Sequence, residues 1–364
     1  MGSLMQLQSP LGSRMKVNGR EVDYFCGTSY HCLHGHPDVI TAACEATRTY
    51  GMGPGTRANF PVYEELTDQL CGFFGVEAVT YAISGYVSPL IVLQGVRDDY
   101  NRVFVDAAAH YSICDALGTL RRPVHPFRHL DPRDLADVLA RELLPGEVPM
   151  VVTDGVFPST GVLAPLVEIC AVMDGYDGAL LCVDDSHGVG SIGATGQGAI
   201  EFAGVAGVGR YLAGTTSKAF GGAGGFVPGS RALADKINDK VRLLSGASPP
   251  PPASAAAAAA GIALLRGNTE MLARLSKNVQ RMRSGLRGLG LDIVDSPVPI
   301  VSVAADTDLE AVRVGLEKES IMVSRVPPGG YSDAPDHETL RIATFSTHAP
   351  DQIDRLVGVM GRLL

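Results

Sequence analysis

The chain has 364 residues, 46% of them hydrophobic and 19% charged, with a formal net charge of -9. At roughly 150 residues per domain this predicts about two domains, with ample apolar material for a buried core. The acidic balance and the lack of long runs of like charge argue against a nucleic-acid or anionic-membrane surface.

The seven cysteines are odd in number, scattered and free of any Cys-x-x-Cys pair, so reduced thiols and a cytoplasmic location are expected. The segment before Phe25 has no apolar core of the kind a signal peptide needs. Residues 1–37 are expected as an N-terminal arm, 38–246 as a large α/β domain and 247–364 as a smaller C-terminal α+β domain.

From about residue 38, amphipathic helical stretches alternate with short β-branched runs, the pattern of a mainly parallel sheet covered by helices on both faces. The expected strands are Ala78–Ile83, Arg102–Asp106, Met150–Asp154, Ala179–Asp184, Tyr211–Thr215 and Gly225–Pro228, each bounded by Gly, Pro, Asp or Ser. In open α/β sheets ligands collect beyond the carboxyl ends of the strands. The segments SGY (84–86), DAAAH (106–110), DDSH (184–187) and TTSK (215–218) are therefore expected to converge on one cleft. The prolines at 249–252 mark a boundary, and Ala253–Leu265 reads as a helix, short of the ~20 apolar residues a membrane span requires. Beyond it, LDIVD (291–295), PIVSVAA, IMVSRV and TLRIATF alternate with helical patterns that end in an amphipathic helix from about Pro350.

Lys218 sits in GTTSKAFGGAGG, between an apolar strand and a glycine-rich turn. A lysine held in such a cleft loses its proton when desolvated, and the free amine attacks an aldehyde to give a Schiff base. Asp184 ends an apolar strand, where an acid calls for a positive partner. A protonated pyridine nitrogen is such a partner, which points to pyridoxal phosphate. Asp185 reads as a turn or helix-cap acid. His187, three residues beyond Asp184, can reach the same ring at its phenolate oxygen, and His110 offers an imidazole face for stacking. Ser84, Gly85 and Tyr86 form a strand-to-helix turn whose exposed amides suit a phosphate, with Ser84 as an ordinary N-cap the plainer reading. Thr215 adds a hydroxyl.

Taken together, SGY, DAAAH, DDSHGVG and GTTSKAFGG resemble, in order and spacing, the α-oxoamine synthase family of pyridoxal-phosphate acyltransferases. GPGTR (53–57), DGVFPSTGVLAPL (154–166), SPP (248–250) and LRIATFSTH (340–348) extend the likeness. The resemblance implies a fold type I homodimer with its active site at the subunit interface. It gives Lys218 as the Schiff-base lysine, Asp184 as the pyridine-nitrogen partner, His187 as the phenolate-oxygen partner and His110 as the stacking histidine. Gly85 and Tyr86 match the phosphate turn, Thr215 a phosphate-binding hydroxyl, and Arg341 the arginine that pairs with the amino-acid carboxylate.

The implied reaction is a decarboxylative Claisen condensation of an amino acid with an acyl thioester, carried on coenzyme A or a carrier protein, to an α-amino ketone. Where the family reads Asn-Tyr-Leu-Gly-Leu, this chain has Thr28-Ser29-Tyr30-His31-Cys32-Leu33, so Thr28 or Ser29 would stand in for an amide near the substrate carboxylate. Pro158 replaces a common serine, Pro89 a common asparagine, and Gly246 a threonine that reaches the partner subunit's phosphate, a task left to Ser245 or Ser248. The loop after Arg57 looks shortened. Other fold type I reactions (aminotransfer, retro-aldol cleavage, decarboxylation) and a non-catalytic relative are the rival readings.

Two weaker motifs are set aside. Gly188-Val189-Gly190-Ser191-Ile192-Gly193 spells a dinucleotide GxGxxG, yet its glycines follow the strand too late. His31, His34 and His36 cluster as metal ligands do, without acidic or further cysteine partners beyond Cys32.

Overall fold

The computed structural model describes residues 5–56 and 59–364. Arg57 and Ala58, where the loop expected to be shortened begins, therefore lie outside the described residues.

The arm opens with a hairpin of β1 (Arg14–Val17) and β2 (Arg20–Tyr24). Its two turn residues, Asn18 and Gly19, both have positive φ, the backbone that matches a right-twisted hairpin. The large sheet is then built from β3 (Ala78–Ala82), β4 (Arg102–Asp106), β5 (Val124–Phe127), β6 (Pro149–Asp154), β7 (Leu180–Asp184), β8 (Arg210–Thr215) and β9 (Gly225–Gly229). Their order is β3-β9-β8-β7-β6-β4-β5. β9 alone runs antiparallel to its neighbours. The six expected strands all form, with ends shifted by a residue or two, and β5 was not expected. Its Pro126 reads as a strand breaker, but β5 is the outer strand, where a missing ladder N–H costs nothing.

Every residue of β6 and β7 is buried, because helices cover both faces and an apolar run is stable only there. One face packs the alanine-rich helix Pro252–Gly267 against the helices Pro37–Tyr50 and Pro61–Phe74. Ala255 to Ala259 are all buried, and side chains this small let helix backbones approach closely. The other face is covered by the helices Ser88–Gly95 and Arg231–Lys240.

In the C-terminal part, β10 (Ile300–Val303), β12 (Ser324–Val326) and β13 (Thr339–Ala343) form an antiparallel sheet in the order β10-β13-β12. β11 (Ile321–Met322) instead pairs in parallel with β2, so the arm joins this part of the chain. LDIVD forms no strand: Ile293 is buried while Asp292, Val294 and Asp295 stay exposed. No helix among the described residues is long and apolar enough to cross a membrane.

Candidate active site

Because β3, β4, β6, β7 and β8 are parallel, the segments that leave their carboxyl ends meet on one edge of the sheet. A cavity of about 200 Å3 opens there. Ser84, Gly85 and Tyr86 reach it from β3, His110 and Ser112 from β4, Asp154 from β6, Asp184, Ser186 and His187 from β7, and Thr215, Ser217 and Lys218 from β8. Larger hollows of about 900 and 450 Å3 elsewhere carry none of these residues.

Ser84 accepts the Tyr86 backbone N–H at 3.2 Å and starts a single 3-10 turn that runs into the helix Ser88–Gly95. Pro89 falls in the first turn of that helix, where an N–H would have no intrahelical acceptor, so proline is tolerated. Gly85 faces Thr215 so closely that a Cβ on it would lie 2.4 Å from the Thr215 Cβ. Only glycine lets the turn sit this near the end of β8. Thr215 Oγ1 donates to the Gly224 carbonyl at 2.9 Å, and Ser217 Oγ lies 2.9 Å from the same oxygen of Thr215.

Asp154 and Asp184 are register partners on adjacent strands, and both are buried. Two buried carboxyls this close do not both ionise readily. Burial first, and the charge of Asp184 second, push Asp154 well above the usual carboxylate range. Asp184 accepts from Ser112 Oγ at 3.1 Å and from the Ser186 backbone N–H at 3.2 Å. Asp154 accepts the His110 backbone N–H at 2.8 Å, which fixes the start of the helix Tyr111–Leu117. Asp185 has the cap task expected of it, accepting the Ala199 N–H at the head of the helix Ala199–Ala203.

Lys218 extends from the loop between β8 and β9 into the cavity. Burial lowers its pKa from 10.5 to about 8, with Asp184 and Asp154 opposing the shift. No hydrogen bond or ion pair holds its amine among the described residues. His187 is kept neutral by burial, with Lys218 and Arg341 adding to the effect, and its Nδ1 lies 2.7 Å from the Tyr30 hydroxyl. Burial also lowers the pKa of His110, whose Nδ1 lies 2.6 Å from Ser112 Oγ.

The expected substrate residues sit beside the cavity rather than on its wall. Arg341, on β13, donates through Nε to the Pro158 carbonyl at 2.7 Å and through a terminal nitrogen to the Gly27 carbonyl at 3.2 Å. The proline that replaces a serine thus still supplies its backbone oxygen to orient the guanidinium. Ser29 is buried against His34, its Oγ 2.6 Å from Nδ1, and the Thr28 carbonyl accepts the Tyr30 N–H. Ser245 lies in the helix Arg242–Gly246 and does not reach the cavity of its own chain.

The histidine cluster is spread over structural bonds. His31 Nε2 faces the Gly190 carbonyl, His34 Nε2 the Ser217 carbonyl, and His36 caps the helix Pro37–Tyr50. Among the described residues no group of three or more His, Cys, Asp or Glu could hold a metal ion.

Sequence reasoning passed over Asp154, Ser112 and Tyr30. The first ends a correctly placed strand, so the rule that singled out Asp184 applied to it equally. Ser112 follows His110 by two residues at a helix start, a usual place for a hydroxyl that turns back. For Tyr30 no local signal exists, since it meets His187 across a sequence separation of 157.

Comparison with known proteins agrees with this geometry. The profile of the family "Aminotransferase class I and II" matches residues 28–360. The chain is 32% identical to the 8-amino-7-oxononanoate synthase of Thioalkalivibrio sulfidiphilus over 95% of its own length and 89% of that protein. Among solved structures, the serine palmitoyltransferase of Sphingomonas wittichii superposes with a TM-score of 0.90 at 26% identity, covering 99% of this chain and 92% of that one. A serine palmitoyltransferase solved with pyridoxal phosphate as the internal aldimine gives 0.89 at 26% identity, covering 98% and 90%. The chain therefore belongs to the aminotransferase class I and II family and, within it, to the α-oxoamine synthases.

Proposed function

We propose that this protein is a pyridoxal-phosphate-dependent acyltransferase that condenses an amino acid with an acyl thioester. One carbon–carbon bond forms between the α-carbon and the acyl carbon. The thioester C–S bond and the bond to the amino-acid carboxylate break, releasing a thiol and carbon dioxide and leaving an α-amino ketone. The observation that carries this reading is the convergence of an unpaired Lys218 amine, the Asp184 carboxyl and the Gly85 turn on one cavity.

The residues present fit the cofactor. Of the two register-paired carboxyls, Asp154 is the one held well above the usual carboxylate range, which leaves Asp184 to face one protonated ring nitrogen. The close approach of Gly85 to Thr215 brings backbone amides and a hydroxyl together, as a phosphate requires. When bound, pyridoxal phosphate supplies the electron sink that makes a carbanion accessible at the amino acid's α-carbon.

The protein's own groups divide the remaining work. Lys218 would hold the cofactor through its aldehyde carbon and would supply the free amine that takes the α-proton at Nζ, for which a pKa near 8 is suited. Asp184 would retain the proton at the ring nitrogen. His110 would offer its imidazole face to the ring, and His187, oriented by Tyr30, would serve the phenolate oxygen. Arg341 takes the amino-acid carboxylate in bidentate fashion, with Thr28 and Ser29 flanking it. Ser84, Gly85, Tyr86 and Thr215 hold the phosphate.

The reading includes a homodimer in a cytoplasmic setting, with Ser245 serving the neighbouring subunit's phosphate, since it lies away from the cavity of its own chain. It also keeps residues 1–37 as an arm, 38–246 as the cofactor domain and 247–364 as the smaller domain.

The decisive assay offers amino acids with a panel of acyl-CoA and acyl-carrier-protein donors and follows thiol and carbon dioxide release. Amino transfer to pyruvate without thiol release would overturn the reading. Two further results are expected. Covalent uptake of pyridoxal phosphate by the cofactor-free protein needs Lys218 as the free amine. The uptake rate, followed by absorbance, should therefore rise with pH to about 8 and level off, rather than climb toward 10.5. Gly85→Ala should raise the Kd for the cofactor about tenfold or more, because overpacking of this kind costs roughly 1–3 kcal/mol. Equilibrium titration of absorbance measures it.

A further inference from the structure

We propose that Tyr331 is a positioning residue whose hydroxyl sets the tautomer of His110 and so directs a hydrogen bond from Ser112 onto Asp184. The inference deepens the proposed function, resting on Asp184 as the ring-nitrogen partner. Tyr331 belongs to the connection between β12 and β13, far in sequence from every strand of the large sheet.

The connection is tied down beside the site. Asp333 Oδ2 accepts from the Ser159 N–H at 2.8 Å, the Thr160 N–H at 3.0 Å and the Thr160 hydroxyl at 3.1 Å. This brings Tyr331 Oη to 2.7 Å from His110 Nε2. From there the contacts run on: His110 Nδ1 to Ser112 Oγ at 2.6 Å, and Ser112 Oγ to Asp184 Oδ2 at 3.1 Å.

Ser112 has one hydroxyl proton and two takers, His110 Nδ1 and the Asp184 carboxylate. Hydrogen bonds to a charged group are roughly twice as strong as neutral ones, so the proton goes to Asp184. Nδ1 must then carry its own hydrogen and donate it to Ser112 Oγ. In a neutral imidazole this leaves Nε2 bare, in need of a donor. Tyr331 is that donor. Neutrality follows from burial, which lowers the His110 pKa. Of the charged groups around it, Asp184 and Asp333 oppose that shift and Lys218 adds to it. Against this arrangement stands the Ser112 backbone N–H, which points at Nδ1 from 3.1 Å and favours a bare Nδ1. Without the Tyr331 hydroxyl, that bond and the Ser112 hydroxyl both turn to Nδ1, and Asp184 loses a donor.

The test is nitrogen NMR on protein carrying 15N-labelled histidine, with and without pyridoxal phosphate. His110 should carry its hydrogen on Nδ1 in the wild type and on Nε2 in Tyr331→Phe, which keeps the ring and loses only the donor. Asp333→Ala, which frees the connection while leaving Tyr331 in the chain, should produce the same exchange. In Tyr331→Phe kcat should fall about fivefold to tenfold, the worth of one neutral hydrogen bond, with KM for the amino acid unchanged. A wild-type His110 with its hydrogen on Nε2, or a tautomer indifferent to Tyr331→Phe, overturns the proposal. Failure to take up pyridoxal phosphate would instead sink the proposed function, while the cofactor-free spectra would still decide the role of Tyr331.

Discussion

Lys218→Ala is expected to abolish turnover by more than about 10³-fold, and with it the yellow colour that covalent capture gives the cofactor-loaded protein. Borohydride should fix the cofactor to a single peptide containing Lys218 in the wild type and to none in the variant, as read by peptide mass. Stability separates this from the loss of a structural lysine. In the cofactor-free protein the amine is desolvated, with no hydrogen bond or ion pair among the described residues, and its pKa sits near 8 instead of 10.5. Between those values the unfolded chain binds more protons at this site than the folded one, so stability should rise with pH there, and below about pH 8 the full cost of burying the charge applies. Removing the amine lifts that cost. Cofactor-free Lys218→Ala should therefore melt no lower than the wild type at pH 7. A variant that melts well below the wild type, or one that keeps its colour and turnover, would show that the lysine serves packing rather than chemistry.

Much of this arrangement is readable from residues alone, because the rules involved are local. β4 was placed to the residue, and β6 and β7 nearly so, since an apolar run ended by an acid is a strong signal for a buried parallel strand. Given those ends, convergence at the carboxyl edge follows from topology. β5 escaped because Pro126 is permitted by its edge position, a property of the assembled sheet that its own four residues do not carry. LDIVD misled for the opposite reason. Its pattern suits a strand, but only Ile293 found a buried place. The hairpin turn at Asn18-Gly19 was present in the sequence and passed over. Within the site, Lys218, Asp184, His187 and His110 each carry a motif. Arg341 looked like a surface charge until the resemblance singled it out, and Tyr30 and Tyr331 reach their histidines only through the tertiary fold.

Of the two acids that end β6 and β7, only Asp184 is expected to matter for the chemistry as a charge, and replacing each in turn should show it. Asp184→Asn keeps the shape and one of the two oxygens that accept separately from Ser112 and from the Ser186 N–H, but it removes the negative charge that would hold a proton on the ring nitrogen. Losing one preorganised electrostatic group of this kind costs about 10²–10³ in kcat, or roughly 3–4 kcal/mol. Asp154→Asn replaces a group that burial and the neighbouring charge already keep protonated, and its amide oxygen can still accept the His110 N–H. Its kcat should stay within about threefold of wild type. The pair also predicts a reciprocal effect. With Asp184 neutralised, the like charge that helps raise Asp154 is gone, so Asp154 should ionise at lower pH in Asp184→Asn than in the wild type, which carboxyl difference infrared spectra can follow. Were Asp154→Asn the more damaging change, the ring nitrogen would have to face β6 instead of β7, and the assignment of every group around the cavity would turn with it.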